Sequence, residues 1–414
     1  MSLGSRPSTP SHHPNFGVHM STESIESVVH FIFPNTTAIE VEPLPSFKSF
    51  NNRIYYLHCH KNTTGENTKH IDPLVLKING RVFGAEKIQN EVSCLRLLED
   101  FCPGIPVPRA LAWSQDGTTI ETRDSQSLEM KLSAINESHG GWILMTRVPG
   151  EPIDLSVINE NDRFQIATQL ADHVTNWRQN TPLQRYAGNL YFKQVDDLDV
   201  DPDIVLPALN GSGGVDLFVR GMLGEELHCP CGIDSLADYY QLRIENKVKA
   251  LETSETFAPN KNLINCLQIF VQKNLPTLRG IKTEEDLFAF THYDLSPRNI
   301  LVSGHPLQIT GIVDFEFSGF FPTLDEFLSD CIANEGDWPK DMYEVYLKRL
   351  ESNGIPTPLE GIPRDRWEQM CLLEELVEKI APWWLPGEHQ GEKLEEELKR
   401  VKVRVEEVLA KLRK

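Results

Sequence analysis

Three polar side chains in the second half of the chain have the types and spacing to carry phosphoryl transfer: Asp294, Asn299 and Asp314. The first two stand in His292-Tyr293-Asp294-Leu295-Ser296-Pro297-Arg298-Asn299, of the form H-x-D-x-x-x-x-N, and Asp314 ends the apolar run Ile312-Val313. Moving a phosphoryl group from ATP needs one carboxylate to accept the nucleophile's proton. It also needs an amide and a second carboxylate to hold Mg²⁺ on the phosphates. Asp294 fits the catalytic part; Asn299 and Asp314 fit the metal part. The turn Ser303-Gly304-His305-Pro306 lets segments 300–302 and 307–313 pair as a hairpin, which returns Asp314 to Asn299. A histidine beside an acid is commonly structural, but here the five-residue step, the hairpin and the strand-terminal acid coincide.

Those groups need a nucleotide held against them. Lys77 lies within Leu74-Val75-Leu76-Lys77-Ile78, a charge inside an apolar strand. An unpaired ammonium is costly to bury, so a partner is expected. The helix expected over 85–100 carries an apolar stripe at Ile88, Val92, Leu95 and Leu98, with Glu91 on or beside it. A Lys77–Glu91 pair would aim the lysine at the α- and β-phosphates; a lysine snorkelling from an edge strand is the alternative. Segments 38–44, 53–60 and 73–78 read as strands, and Pro45 to Asn52 between the first two occupies the place of a nucleotide-covering loop. This loop has no glycine. Ser49 and Asn52 are its candidate hydrogen-bond donors.

His292 to Leu301, with Ile312-Val313-Asp314-Phe315-Glu316-Phe317-Ser318-Gly319, resembles the aminoglycoside phosphotransferase family of the protein-kinase-like fold, most closely its fungal-type members. The resemblance runs more thinly from about residue 40 to 330. It implies an α+β, two-lobe, protein-kinase-like architecture: a small antiparallel-sheet N-lobe with one main helix, and a larger, mostly helical C-lobe. It implies ATP and Mg²⁺ as cofactors and a small-molecule substrate. Gly141 to Gly150 is similar to the family's hinge, where adenine would bond backbone groups near Thr146 to Val148 and Met145 would flank the pocket. Where family members often carry glycine, residues 45–52 do not. A catalytically weak nucleotide-binding scaffold is therefore the second reading and a protein kinase the third. Against a protein kinase, Asp314 leads within about ten residues into an apparent helix at 324, leaving little chain for a peptide platform.

With 414 residues the chain can bury a large core and divide into lobes. Its net charge of −20 would repel phosphate backbones and anionic lipid, so neither nucleic acid nor a membrane surface is an expected partner. Eight scattered cysteines, with no secretory leader or membrane-length apolar run, point to a cytoplasmic chain with reduced thiols. His58-Cys59-His60 and His228-Cys229-Pro230-Cys231 fall short of the four ligands of structural zinc. The expected domains are a disordered tail over 1–20, a nucleotide-binding lobe over 21–148, a catalytic and substrate lobe over 149–390, and an amphipathic helix over 391–414. That last helix places Leu394, Leu398, Val401, Val405, Val408 and Leu412 on one seam. It would dock on the C-lobe of a monomer or, alternatively, form a homodimer. The acidic run 195–203 is either a solvated loop or a face for a cationic substrate. No motif in 150–285 identifies the acceptor.

Overall fold

Near-continuous apolar runs such as Leu74–Ile78 and Trp142–Met145 build the interior of the first sheet, and alternating polar residues mark its edge strand at 36–43. The strands are β1 (Thr36–Pro43), β2 (Asn52–Lys61), β3 (Leu74–Asn79), β4 (Ala110–Ser114), β5 (Thr119–Thr122), β6 (Ser127–Glu129) and β7 (Trp142–Thr146), in the order β1-β2-β3-β7-β4-β5-β6. The computed structural model describes residues 13–45, 48–61, 73–82, 84–122, 127–129, 141–192, 205–206, 217–227, 232–281, 287–328 and 338–413. The acidic run 195–203 and the His228–Cys231 segment lie outside the described residues.

Strand β3 is interior to the sheet, with Lys77 opposite Ile54 on one side and Ile143 on the other. Its alternate residues therefore serve two different cores. Leu74, Leu76 and Ile78 pack with Ile25, Val28 and Val29 of helix α1 (Thr22–Ile32). Lys77 points to the opposite face, which helix α2 (Ala85–Phe101) covers. The edge-strand reading of Lys77 is thereby removed.

Past the hinge, β8 (Glu151–Pro152), β9 (Gly188–Phe192), β10 (Val205–Leu206), β11 (Leu217–Val219), β12 (Phe288–Thr291), β13 (Ile300–Ser303), β14 (Gln308–Ile312) and β15 (Gly319–Pro322) form two small sheets, ordered β10-β11-β9-β15-β12 and β14-β13-β8. The expected hairpin is β13–β14, with Ile300 opposite Ile312 and Gly304 supplying the positive φ of its turn. Around them stand α3 (Glu160–Asn180), α4 (Leu236–Thr253), α5 (Ile264–Ile269), α6 (Asp325–Leu328), α7 (Lys340–Ser352), α8 (Arg364–Ile380), α9 (Leu385–Glu388) and α10 (Gly391–Leu412). The chain is thus an α+β fold in two lobes, a sheet lobe with one main helix and a larger, mostly helical lobe.

Two tail-end expectations resolve differently. The seam of α10 is buried on the chain's own C-lobe: Leu398, Val401, Val405, Val408 and Leu412 are covered, and Arg404 reaches Glu375 on α8 at 2.8 Å. The disordered tail is a correction for residues 13–20. There Asn15, Val18 and Met20 are buried, and the Met20 N–H donates to the Tyr55 hydroxyl at 3.1 Å. Two apolar anchors and one buried amide outweigh a polar composition. Among the described residues, no helix is long and apolar enough to cross a membrane.

Candidate active site

The segment after β12 is held by its own histidine. His292 is fully buried, accepts the Asp294 N–H at Nδ1 (3.2 Å), and meets the Val313 carbonyl through Nε2 (3.1 Å). Only a neutral imidazole makes both contacts, as acceptor at Nδ1 and donor at Nε2. Burial accordingly pushes its pKa down to about 4. His292 thus joins the catalytic segment to the strand end at 313, while Trp338 donates to the Leu295 carbonyl at 2.7 Å.

The Asp294 carboxylate accepts three hydrogen bonds from two side chains. The Arg298 guanidinium meets both carboxylate oxygens at 2.8 Å, and the Asn299 amide nitrogen meets Oδ2 at 3.0 Å. Burial raises the Asp294 pKa, against the pull of Arg298. The Asn299 carbonyl accepts from Val313 N–H at 3.0 Å, so the hairpin closes beside Asp314 as its spacing predicts. Two non-glycine residues take left-handed backbone here, Tyr293 (φ 71°) and Asp314 (φ 72°). Such conformations cost on the order of 1–3 kcal/mol each and concentrate at functional sites.

Lys77 bridges the lobes. Its ammonium lies 2.6 Å from Glu91, 2.6 Å from Asp314 and 2.8 Å from Glu316. The three carboxylates raise the lysine's pKa despite burial. Their oxygens lie within 4.8 Å of one another, a spacing that could also hold a metal ion. Glu91 and Glu316 are buried, however, and Lys77 already balances them; Asp314, with 31% of its side chain exposed, has the open face. Burial, opposed by Lys77, raises Glu91 to about 7.

Sequence reading missed how much depends on Glu316. Fully buried in the turn Phe315–Phe317, it accepts from Asn51 (2.8 Å) and Asn52 (2.6 Å) and pairs with Lys87 at 3.3 Å. Asn90 adds to the tie: its amide nitrogen donates to the carbonyls of Glu316 (2.9 Å) and Ser318 (3.0 Å), and its oxygen accepts from Leu190 N–H (2.7 Å). Lys87, Asn90 and Glu91 share one face of α2, which was the available signal.

The glycine-free loop is braced from the tail. Asn15 donates to the carbonyls of Ser49 and Asn52, the His13 ring packs tilted against Phe50 with ring centroids 4.5 Å apart, and Gly80 passes so close that a Cβ would sit 2.1 Å from the Asn51 carbonyl oxygen. Ser49 stays half-exposed on this loop. Asn52 is a correction. Its amide nitrogen holds Glu316 and its oxygen accepts from Lys87 at 2.9 Å, so it is a buried lobe-to-lobe tie rather than a phosphate donor. Met145 is buried at the end of β7. At Thr146 the N–H is taken by the Arg109 carbonyl (3.0 Å) and the hydroxyl accepts from Arg109 N–H (2.9 Å), so of its backbone groups the amide is already bonded. Arg147 N–H goes to the Pro73 carbonyl, and Val148 packs over Gly311.

Asp314 is followed by the 315–317 turn, then β15, then α6 from Asp325. No long peptide-binding segment intervenes.

The model of the phosphotransferase enzyme family matches residues 49–356. The chain belongs to that family. No curated protein matches it, but solved structures do. A crystal structure of the aminoglycoside phosphotransferase APH(2'')-Ib bound to ADP is 12% identical over 94% of this chain and 99% of that one, with a TM-score of 0.54. The gentamicin complex of APH(2'')-IIa is 12% identical over 95% and 97%, with a TM-score of 0.52. At such identities the likeness establishes the fold alone, and the family match establishes the class: this chain is a phosphotransferase enzyme.

Proposed function

We propose that this phosphotransferase moves the γ-phosphoryl group of ATP, with Mg²⁺, onto a hydroxyl of a small molecule. One observation carries the reading: an unbroken chain of contacts runs from Asp294 through Asn299 and the 313–314 strand end to Lys77 and Glu91. Proton acceptor, amide, open carboxylate and buried ammonium thus adjoin one another where the lobes meet.

Asp294 orients the acceptor hydroxyl and takes its proton as the new P–O bond forms; Arg298 and Asn299 fix the carboxylate for that contact. Lys77, positioned by Glu91 and Glu316, offers fixed positive charge to the phosphates. Asn299 and Asp314 fit a hard cation, because each brings an oxygen donor and Asp314 is open on one side. Mg²⁺ bound there would neutralise phosphate charge. Ser49 borders the phosphates from the loop. With Thr146 and Arg147 amides already bonded, Val148 N–H is the donor for the adenine ring nitrogen, a carbonyl of 146–148 accepts from the adenine amino group, and Met145 flanks it.

The test is product analysis with Mg-ATP and a panel of hydroxylated acceptors. ADP with a phosphorylated acceptor supports the reading, provided Asp294→Asn abolishes it. AMP or pyrophosphate as product points to nucleotidyl transfer instead.

A further inference from the structure

Beside the catalytic segment the C-lobe holds a cavity of about 480 Å³, within the size range of small-molecule sites. Tyr293, next to Asp294, and Phe317, next to Glu316, form its inner wall. Phe321 and the exposed pair Trp383 and Trp384 continue an aromatic lining, and Trp383 reaches the N-lobe loop, 6.1 Å between ring centroids from Phe50. The cavity therefore adjoins the catalytic segment at Tyr293, and its Trp383 side meets the N-lobe at Phe50.

The charges of the wall discriminate between acceptor classes. Three cationic side chains, Arg243, Lys247 and Lys379, face two acids, Glu225 and Glu378. In a chain of net charge −20, this wall is not acidic. Arg243 is already satisfied by Glu374, at 2.7 and 2.5 Å, between the rings of Tyr239 and Tyr240. Lys247 is settled less well. Its charge is supported chiefly by Glu225, and burial still lowers its pKa. A ligand carboxylate would complete it.

We infer that this cavity takes the phosphoryl acceptor, and that the acceptor is a hydroxylated compound with a flat, largely apolar ring body and one carboxylate, not a polycation. The inference rests on the phosphoryl-transfer reading above. The ring stacks on Trp383 and Trp384, Lys247 anchors the carboxylate, and the hydroxyl is turned toward Asp294.

The experiment uses the full chain loaded with Mg-AMP-PNP, titrated with 3-phenyllactate, mandelate and 3-(4-hydroxyphenyl)propionate against kanamycin and choline. Tryptophan emission is followed, and ADP formation is measured in parallel with Mg-ATP. At least one hydroxylated aromatic acid is expected to quench emission saturably and to stimulate ADP formation. Lys247→Met should raise its KM at least tenfold with kcat changed less than threefold, and Trp384→Ala should weaken the quench. Tighter binding of kanamycin or choline than of every aromatic acid overturns the inference while leaving phosphoryl transfer standing. Failure of all three aromatic acids to bind overturns it as well. Saturable binding of an aromatic acid without Mg-dependent ADP formation supports the cavity and counts against the transfer reading.

Discussion

Lys77 and Lys247 are both drawn partly or wholly out of water, and their charges are settled in opposite ways. Lys77 has three carboxylates within 2.8 Å, which outweigh burial and raise its pKa; Lys247 depends chiefly on Glu225, and its pKa falls. The side we assign to the nucleotide is a closed electrostatic knot, bonded across both lobes. The side we assign to the acceptor is an aromatic cavity in which Lys247 is less fully compensated. Fixed charge suits a part whose work is the same for any acceptor, because preorganised dipoles need no rearrangement during reaction. Unmet charge suits recognition, because a ligand can complete it.

The comparison breaks most visibly at Glu316. Glu316→Ala leaves Lys77 and Lys87 under-compensated in a buried site and should cost about 3–5 kcal/mol. Chemical denaturation followed by tryptophan emission reads this directly; a loss below 1 kcal/mol would show that the knot is not the joint between lobes.

The next effect is in pH. His292 titrates at about 4 when folded, against roughly 6.5 in an unfolded chain. Above 6.5 both states are neutral and the residue contributes nothing. Between 6.5 and 4 the unfolded chain takes up the proton and the native one does not, so native stability falls as pH falls. The loss accumulates to roughly 3 kcal/mol. His292→Gln should flatten unfolding free energy against pH across that window, whereas an unchanged slope would assign the loss to other groups.

Smaller again is the brace on the glycine-free loop. Asn15→Ala removes two side-chain hydrogen bonds to loop carbonyls and should cost about 1–2 kcal/mol. It should raise KM for ATP several-fold while sparing KM for the acceptor. The smallest effect on stability belongs to Lys247→Met, within about 1 kcal/mol and possible in either direction, since removing an incompletely paired charge also removes its desolvation cost. A large loss of stability there would erase the contrast between the two lysines.

Much of the knot was legible in the sequence. The Asp294 to Asn299 step and the return of Asp314 are encoded within twenty-odd residues, and Lys77 is marked by standing alone in an apolar strand. Glu91 follows from helical periodicity. Glu316 was in plain view two residues past Asp314, but its partners Asn51 and Asn52 lie 265 and 264 residues away, and no local period reports such a contact. The same distance hid the brace from Asn15, since the tail's polar composition says nothing about where one amide lands. That the Thr146 amide is consumed by Arg109 was not legible, since it follows from a neighbouring strand's register that sequence alone does not fix. The acceptor cavity draws its wall from segments near 189, 222–225, 243–247, 293, 317–321 and 377–384, so no single stretch carried its signature.

The most direct test of the account is the rate of Mg-dependent ADP formation by the wild-type chain and by Asp294→Asn, measured with one turned-over acceptor at saturating ATP. A drop of about 10²–10⁴-fold in kcat is expected, with ATP binding and unfolding midpoint nearly unchanged. Equal rates from the two proteins would contradict it.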